Sequence, residues 1–250
     1  MLHAGLLREP KPAEPPGTVT DWAARLAELA GQARDPRLQA FYAAGAVDGT
    51  TPLRDVPLLA FDVETTGLDP SVDGIVSLGL VPMSLDLIRA SQGRHWLVRP
   101  RVPLADEAVT FHGITHQRLR QAPDLDEVLG DVLSMMAGKV MVVHCRDIER
   151  RFLDQALRRR IGEGIEFPVI DTMALEARLH RRPAPPWWRR LGRSLPAPVS
   201  VRLAASRERY GLPRYRLHHA LSDALASAEL LQAQVAHDFD EGVQIRHLWC

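Results

Sequence analysis

The apolar run Pro57-Leu58-Leu59-Ala60-Phe61 ends in two acids, Asp62 and Glu64, and passes directly into a turn marked by Gly67 and Pro70. A short hydrophobic run bounded by turn residues is the pattern of a buried strand. Residues two apart on a strand project to the same face, so two carboxylates stand side by side where the run ends. Like charges repel there and desolvation is costly. A divalent cation between them would relieve both effects, because hard cations take oxygen ligands. On this pair alone, a polar strand end running into a turn is an equally good reading.

Two stations further along carry acids in a similar setting. Val140-Met141-Val142-Val143-His144 reads as a second apolar strand, followed by a helix with Ile148, Phe152 and Leu153 on its inner side and Glu149 one turn in. His218-His219-Ala220-Leu221-Ser222-Asp223 opens a last helix that runs on through Leu231. Each station alone is the ordinary polar start of a helix. Three together point to a shared metal site.

Read as a set, these residues resemble the DEDDh-type 3′–5′ exonucleases, the family that includes the proofreading epsilon subunit of bacterial DNA polymerase III. Asp62-Val63-Glu64-Thr65-Thr66-Gly67 matches the first motif without a gap, and His218 and Asp223 match the third, with four residues between them. In the sister group the base is a tyrosine, and the shorter spacing would put it at position 219, where His219 stands. Val109 to Thr115 resembles the family's valine-His-Gly-Ile segment, and Val169-Ile170-Asp171-Thr172 its late strand. The resemblance covers roughly residues 57 to 236.

The second motif departs from the pattern. Where the family has His-Asn-x-x-Phe-Asp, this chain has His144-Cys145-Arg146-Asp147-Ile148-Glu149, so the ligand position falls on Glu149. Asp147 is the alternative, but residues two apart on a helix point to nearly opposite sides, so the two cannot both face the metals. Phe152 and Leu153 occupy the places of the family's packing pair and favour Glu149.

The resemblance implies two divalent cations, Mg²⁺ or Mn²⁺, held by Asp62, Glu64, Glu149 and Asp223. His218 would be the general base, and nucleoside 5′-monophosphates would leave from the 3′ end. Thr65, Thr66, Glu107 and His112 stand at family positions that contact the terminal nucleotides. His219 reads as structural or exposed, His144 as packed or hydrogen-bonded at a strand end, and His116 as exposed. The implied substrate is a single-stranded 3′ end of DNA, with a DNA polymerase as a candidate partner. An RNA-trimming enzyme of the same fold, or a non-catalytic module that binds nucleic acid or a polymerase, are the alternatives.

With 250 residues, 46% of them hydrophobic, the chain is long enough for a sizeable core. Its formal net charge is zero, so no global field draws it to nucleic acid. Two cysteines, Cys145 and Cys250, are too few for a disulfide framework. The start lacks a signal-peptide pattern and no apolar run approaches membrane-spanning length, so a cytoplasmic protein without membrane contact is expected.

The fold class expected is α/β, a ribonuclease H-like mixed sheet flanked by helices, with a short helical appendage before it. Residues 1–56 form a Pro-rich leader and appendage, 57–236 the exonuclease domain and 237–250 a tail. In the appendage a helix capped near Thr20 carries Trp22, Leu26 and Leu29, and a second carries Leu38, Phe41 and Tyr42; packing on the domain is the default reading, with a partner site as the alternative. Strands are expected at 57–63, 74–82, 94–98, 139–144 and 168–171, and helices at 124–137, 147–160 and 172–180. Between the late strand and the last helix, arginines and prolines surround Trp187 and Trp188. That chemistry suits single-strand binding, but prolines and arginines abound throughout this chain, which favours a surface loop whose tryptophans cover the domain's own apolar flank; docking of a polymerase or other protein is a third reading.

Overall fold

The computed structural model describes residues 21–103, 109–110, 112–180, 199–215, 218–240 and 242–250. Thr20, Glu107 and the Trp187-Trp188 loop lie outside these residues. Five strands form one sheet in the order β3-β2-β1-β4-β5. They are β1 (Leu58–Thr65), β2 (Ile75–Met83), β3 (Arg94–Leu97), β4 (Val140–Val143) and β5 (Val169–Asp171). β1–β2 and β2–β3 are antiparallel, whereas β1–β4 and β4–β5 are parallel. The connection lengths explain the mixture: short links return antiparallel, and a parallel step needs a crossover long enough for a helix.

The helices are α1 (Trp22–Gln32), α2 (Pro36–Ala43), α3 (His116–Gln121), α4 (Leu125–Met136), α5 (Arg146–Ile161), α6 (Thr172–His180), α7 (Leu203–Arg209) and α8 (Ala220–Asp238). Local chemistry sets several of their ends. Asp124 and Glu127 form a reciprocal capping box at the start of α4, and Gly162 closes α5 in the left-handed region. α1 is capped by Asp21, whose carboxylate accepts the Ala24 amide at 3.0 Å, one residue beyond the expected Thr20. None of the described helices is long and apolar enough to cross a membrane.

Beside a small cluster of Val76, Ile114 and Leu119, one main core runs through the described residues. Phe61, Leu78, Leu80, Val142, Phe167 and Leu231 belong to it, and so do Trp22, Leu26, Leu38, Phe41 and Tyr42 from the first two helices. α1 and α2 are fastened by charge as well. Arg25 grips the Glu166 carboxylate at 2.5 and 3.0 Å, and the Glu163 carboxylate accepts the backbone amides of Arg34 and Asp35 at 2.8 and 2.9 Å.

The contact that decides where the last helix lies is at Gly79 on β2. A Cβ placed there would sit 2.2 Å from the Ala220 carbonyl carbon, so the backbone of α8 rests directly on the strand. Gly79 pairs with Asp62 on one side and His95 on the other, and directly opposed residues share a face. The first turn of α8 therefore lies over the row Asp62–Gly79–His95. Gly79→Ala is expected to lift α8 and destabilise the fold by about 1–3 kcal/mol, as overpacking does. Urea denaturation checks it; a variant as stable as the parent would mean that the helix shifts without cost.

Candidate active site

Asp62 and Glu64 stand near the end of β1, and Asp223 in the first turn of α8. Each offers a carboxylate oxygen within 4.8 Å of the other two. Glu149, in the first turn of α5, is outside this tight trio but close enough for its charge to act on Asp62. It is 3% exposed, whereas Asp147 two residues earlier faces solvent. Glu149 Oε2 and Asp223 Oδ1 are buried and have no hydrogen-bond partner.

The electrostatics follow from this crowding. Burial, and then the charges of Glu64, Asp223 and Glu149, hold the Asp62 carboxyl well above the ordinary range. Burial, with the charge of Asp223 added, pushes Glu64 up to about 8. Glu149 is raised by burial and by the nearby Asp171 and Asp147, and Asp223 is raised by burial. Four acids that resist ionising together, two of them with an orphaned buried oxygen, fit a site for hard divalent cations.

His218 precedes α8 in the left-handed region, with φ 65°, and its amide donates to Asp223 Oδ2 at 2.8 Å. Its ring is exposed. His112 lies within reach of its charge: burial first, then His218, lowers the pKa of His112. His112 Nδ1 accepts the Ile114 amide at 3.0 Å, which puts the proton of the neutral ring on Nε2, and that nitrogen is buried without a partner.

The loop after β1 is stapled by Asp73. Its carboxylate accepts the Thr66 hydroxyl at 3.0 Å and the Asp69 amide at 3.0 Å, while the Thr66 hydroxyl accepts the Gly74 amide at 3.1 Å. A Cβ on Gly67 would meet that carboxylate at 2.4 Å. Arg159 of α5 donates to the carbonyls of Asp73, Pro70 and Ser71 at 3.0, 3.1 and 2.5 Å. Thr66 is buried and its hydroxyl and amide serve the loop itself, and the Thr65 hydroxyl donates to the Gly67 carbonyl at 2.6 Å. The side chains of both threonines are thus engaged in shaping the loop.

Of the remaining histidines, His144 is half-buried. Its Nε2 donates to the Val201 carbonyl at 3.0 Å, and Nδ1 lies 2.8 Å from the Thr172 hydroxyl, so it ties β4 to α6 and to the segment before α7. Burial lowers it to about 4. His219 stacks on His95, with ring centroids 4.5 Å apart. His116 is exposed. Asp73 and His95 are the neighbours of the site that motif reading passes over: neither is in a motif, and only the fold brings them to it.

A ribonuclease H-like sheet that gathers carboxylates from two strand positions and two helix starts defines a class, the metal-dependent exonucleases. Residues 59–231 match the RNase_T exonuclease family, and the chain belongs to it. It is 30% identical over 176 residues to a DNA polymerase III PolC-type protein of Thermotoga maritima, covering 70% of this chain and 12% of that one. It is 32% identical over 183 residues to a DNA polymerase III subunit epsilon-like protein of Rhodobacter capsulatus, covering 72% of this chain and 24% of that one. The chain thus spans a small part of these relatives. Among solved structures, the nuclease domain of 3′hExo, a DEDDh family member bound to rAMP, superposes with a TM-score of 0.59 at 18% identity, over 73% of this chain and 92% of that one. Exonuclease X in complex with 5′ overhanging duplex DNA does so with a TM-score of 0.55 at 23% identity, over 76% and 99%.

The raised carboxylates predict how stability depends on pH. An acid whose folded pKa is raised contributes stability that is complete below its unfolded value, near 4, and lost as pH rises through its folded value, about 8 for Glu64. His144, lowered to about 4, acts in the opposite sense: its contribution is present above about 6.5 and lost as pH falls towards 4. Comparing variants separates the two. In metal-free protein, Asp62→Asn is expected to raise the thermal midpoint at about pH 8 and to change it little at about pH 4. Equal shifts at both pH values would show that the carboxylate repulsion is not what the substitution removes.

Proposed function

We propose that this chain is a 3′–5′ exonuclease that removes nucleoside 5′-monophosphates one at a time from single-stranded DNA 3′ ends, in proofreading or repair. One observation carries the reading: β1, α5 and α8 bring four buried or half-buried carboxylates together, two with unpartnered buried oxygens, beside an exposed histidine. Asp62, Glu64, Glu149 and Asp223 would hold two divalent cations, Mg²⁺ or Mn²⁺. When bound, such ions neutralise charge at the phosphodiester and make water more acidic. His218 takes the proton of the attacking water as general base, a role that suits an exposed imidazole held next to Asp223. Its neighbour Asp223 orients it through the backbone, since the Asp223 carboxylate accepts the His218 amide. His112, with a free Nε2–H, would donate to the terminal nucleotide. Thr65, Thr66 and Glu107 would border the same nucleotide, the two threonines through the loop they shape. The exposed Leu68 and Val72 stand on that loop.

DNA is favoured over RNA because the relatives from Thermotoga maritima and Rhodobacter capsulatus carry DNA polymerase III names. The same names support a polymerase III partner. Metal-dependent release of mononucleotides from 3′-labelled DNA and RNA oligonucleotides tests polarity, product and sugar preference in one assay. Faster digestion of the RNA would reverse the choice of substrate, and no release from either would remove the reading.

Within that assay, Asp62→Ala and Asp223→Ala are expected to abolish turnover and weaken Mn²⁺ binding while the fold persists, since each removes one mutual repulsion. His218→Ala is expected to bind Mn²⁺ normally and to lose about 10²- to 10⁴-fold in rate. Glu149→Ala should be nearly inactive and Asp147→Ala close to normal; the reverse pattern would move the ligand to Asp147.

A further inference from the structure

The row Asp62–Gly79–His95 across β1, β2 and β3 meets the start of α8 at three points. Asp223 joins Asp62 in the carboxylate trio, the Ala220 backbone rests on Gly79, and the His219 ring lies on the His95 ring at 4.5 Å with an interplanar angle of 30°. His218 stands just before these contacts, in a backbone region that a non-glycine residue keeps only where its surroundings hold it. On one side the hold is its own amide, bonded to Asp223 Oδ2. On the other it is the residue that follows, stacked on β3.

We propose that His219 and His95 are positioning residues: their stacked rings pin the turn that carries His218 and so fix where its ring stands next to Asp223. The inference rests on the reading of His218 as the general base. His95 is suited to be a platform. It is half-buried on β3, and burial, with the charges of His219 and Arg118, holds it near 4, so it is a neutral ring at neutral pH. His219 is exposed, with its Nδ1 also 3.5 Å from the Ser222 hydroxyl, so its ring adds little to the core. Its effect falls on the geometry of the residue before it. A stack needs a flat ring, not an imidazole in particular, and this separates positioning from proton transfer or metal binding.

The test uses the full chain with a 3′-labelled single-stranded DNA and Mn²⁺. His219→Ala and His95→Ala are each expected to lower kcat by about 10- to 10²-fold, in line with a misplacement near 1 Å, with KM and Mn²⁺ affinity nearly unchanged. The double variant should be no slower than either single, because both remove one contact. His219→Phe should restore kcat to within about threefold of the parent. In metal-free protein the Hε1 resonance of His218 should move in His219→Ala and return in His219→Phe. Unchanged kcat in both alanine variants, an unmoved resonance, or a His219→Phe as slow as His219→Ala overturns the proposal. If the alanine variants fail to fold by circular dichroism, His219→Phe alone decides. A parent protein that digests no 3′ end would defeat the nuclease reading instead, and the His218 resonance would still report on the stack.

Discussion

The absence of a side chain at Gly79 is the constraint on which the site depends. Because nothing stands between β2 and the backbone of Ala220, α8 lies on the sheet at its first turn instead of a side chain's width above it. That depth brings Asp223 to Asp62 and Glu64, which belong to a different element and lie about 160 residues away in sequence. The close approach is maintained by packing along the rest of the helix, where Ala224, Ala228, Leu231 and Val235 join the common core. Small residues near the start and larger ones further on let one helix touch the strand at one end and fill space at the other.

The carboxylates gathered in this way oppose the fold that gathers them. Asp62, Glu64, Glu149 and Asp223 are all raised by burial, and the unpartnered oxygens of Glu149 and Asp223 add the cost of buried acceptors without donors. By contrast, the buried acids outside the site among the described residues are hydrogen-bonded, although burial raises Asp171 as well. Asp171 accepts the amides of Met173 and Ala174 at the start of α6 and that of Arg146 at the start of α5. Glu176, also buried, is paired with Arg209 and bonded by Gln234. Asp171 and Glu176 are thus satisfied within the chain, whereas these four stay crowded, and the proposed cation site rests on that difference.

The elements and the acids were legible in sequence because they rest on local patterns. Apolar runs ended at turn residues, helices opened on polar caps, and the five strands and helices α4, α5 and α6 lie within a residue or two of their expected ends, while α8 runs on past Leu231 to Asp238. Asp62, Glu64 and Asp223 could be grouped because each closes or opens such an element, and the burial of Glu149 against the exposure of Asp147 follows from helix spacing. What sequence did not disclose depends on register between strands far apart in the chain. That Gly79 lies between Asp62 and His95 is a property of two antiparallel pairings, and His219 meeting His95 follows from it. Thr66 likewise reads as a substrate contact from its motif, while its bonds to Asp73 and Gly74 appear only when the loop closes.

Glu149 shows how far the scaffold of the site extends. The next residue, Arg150, faces away from the carboxylates and runs between the rings of Trp22 and Phe167, at 5.4 and 5.8 Å from their centroids. It donates to the Phe167 carbonyl at 2.6 Å and to the Cys250 carbonyl. Cys250 in turn exchanges backbone hydrogen bonds with Val169 on β5, at 2.9 and 3.2 Å. The first turn of α5 is therefore held from behind by α1, by β5 and by residues 249–250, and from its end by Asp171. A glutamate reaches one methylene further than an aspartate, so the position of its carboxylate depends more on how firmly its backbone is held. Residues 21–43 and 243–250 contribute that hold, which makes them part of what sets the geometry of the site, although none of them touches it.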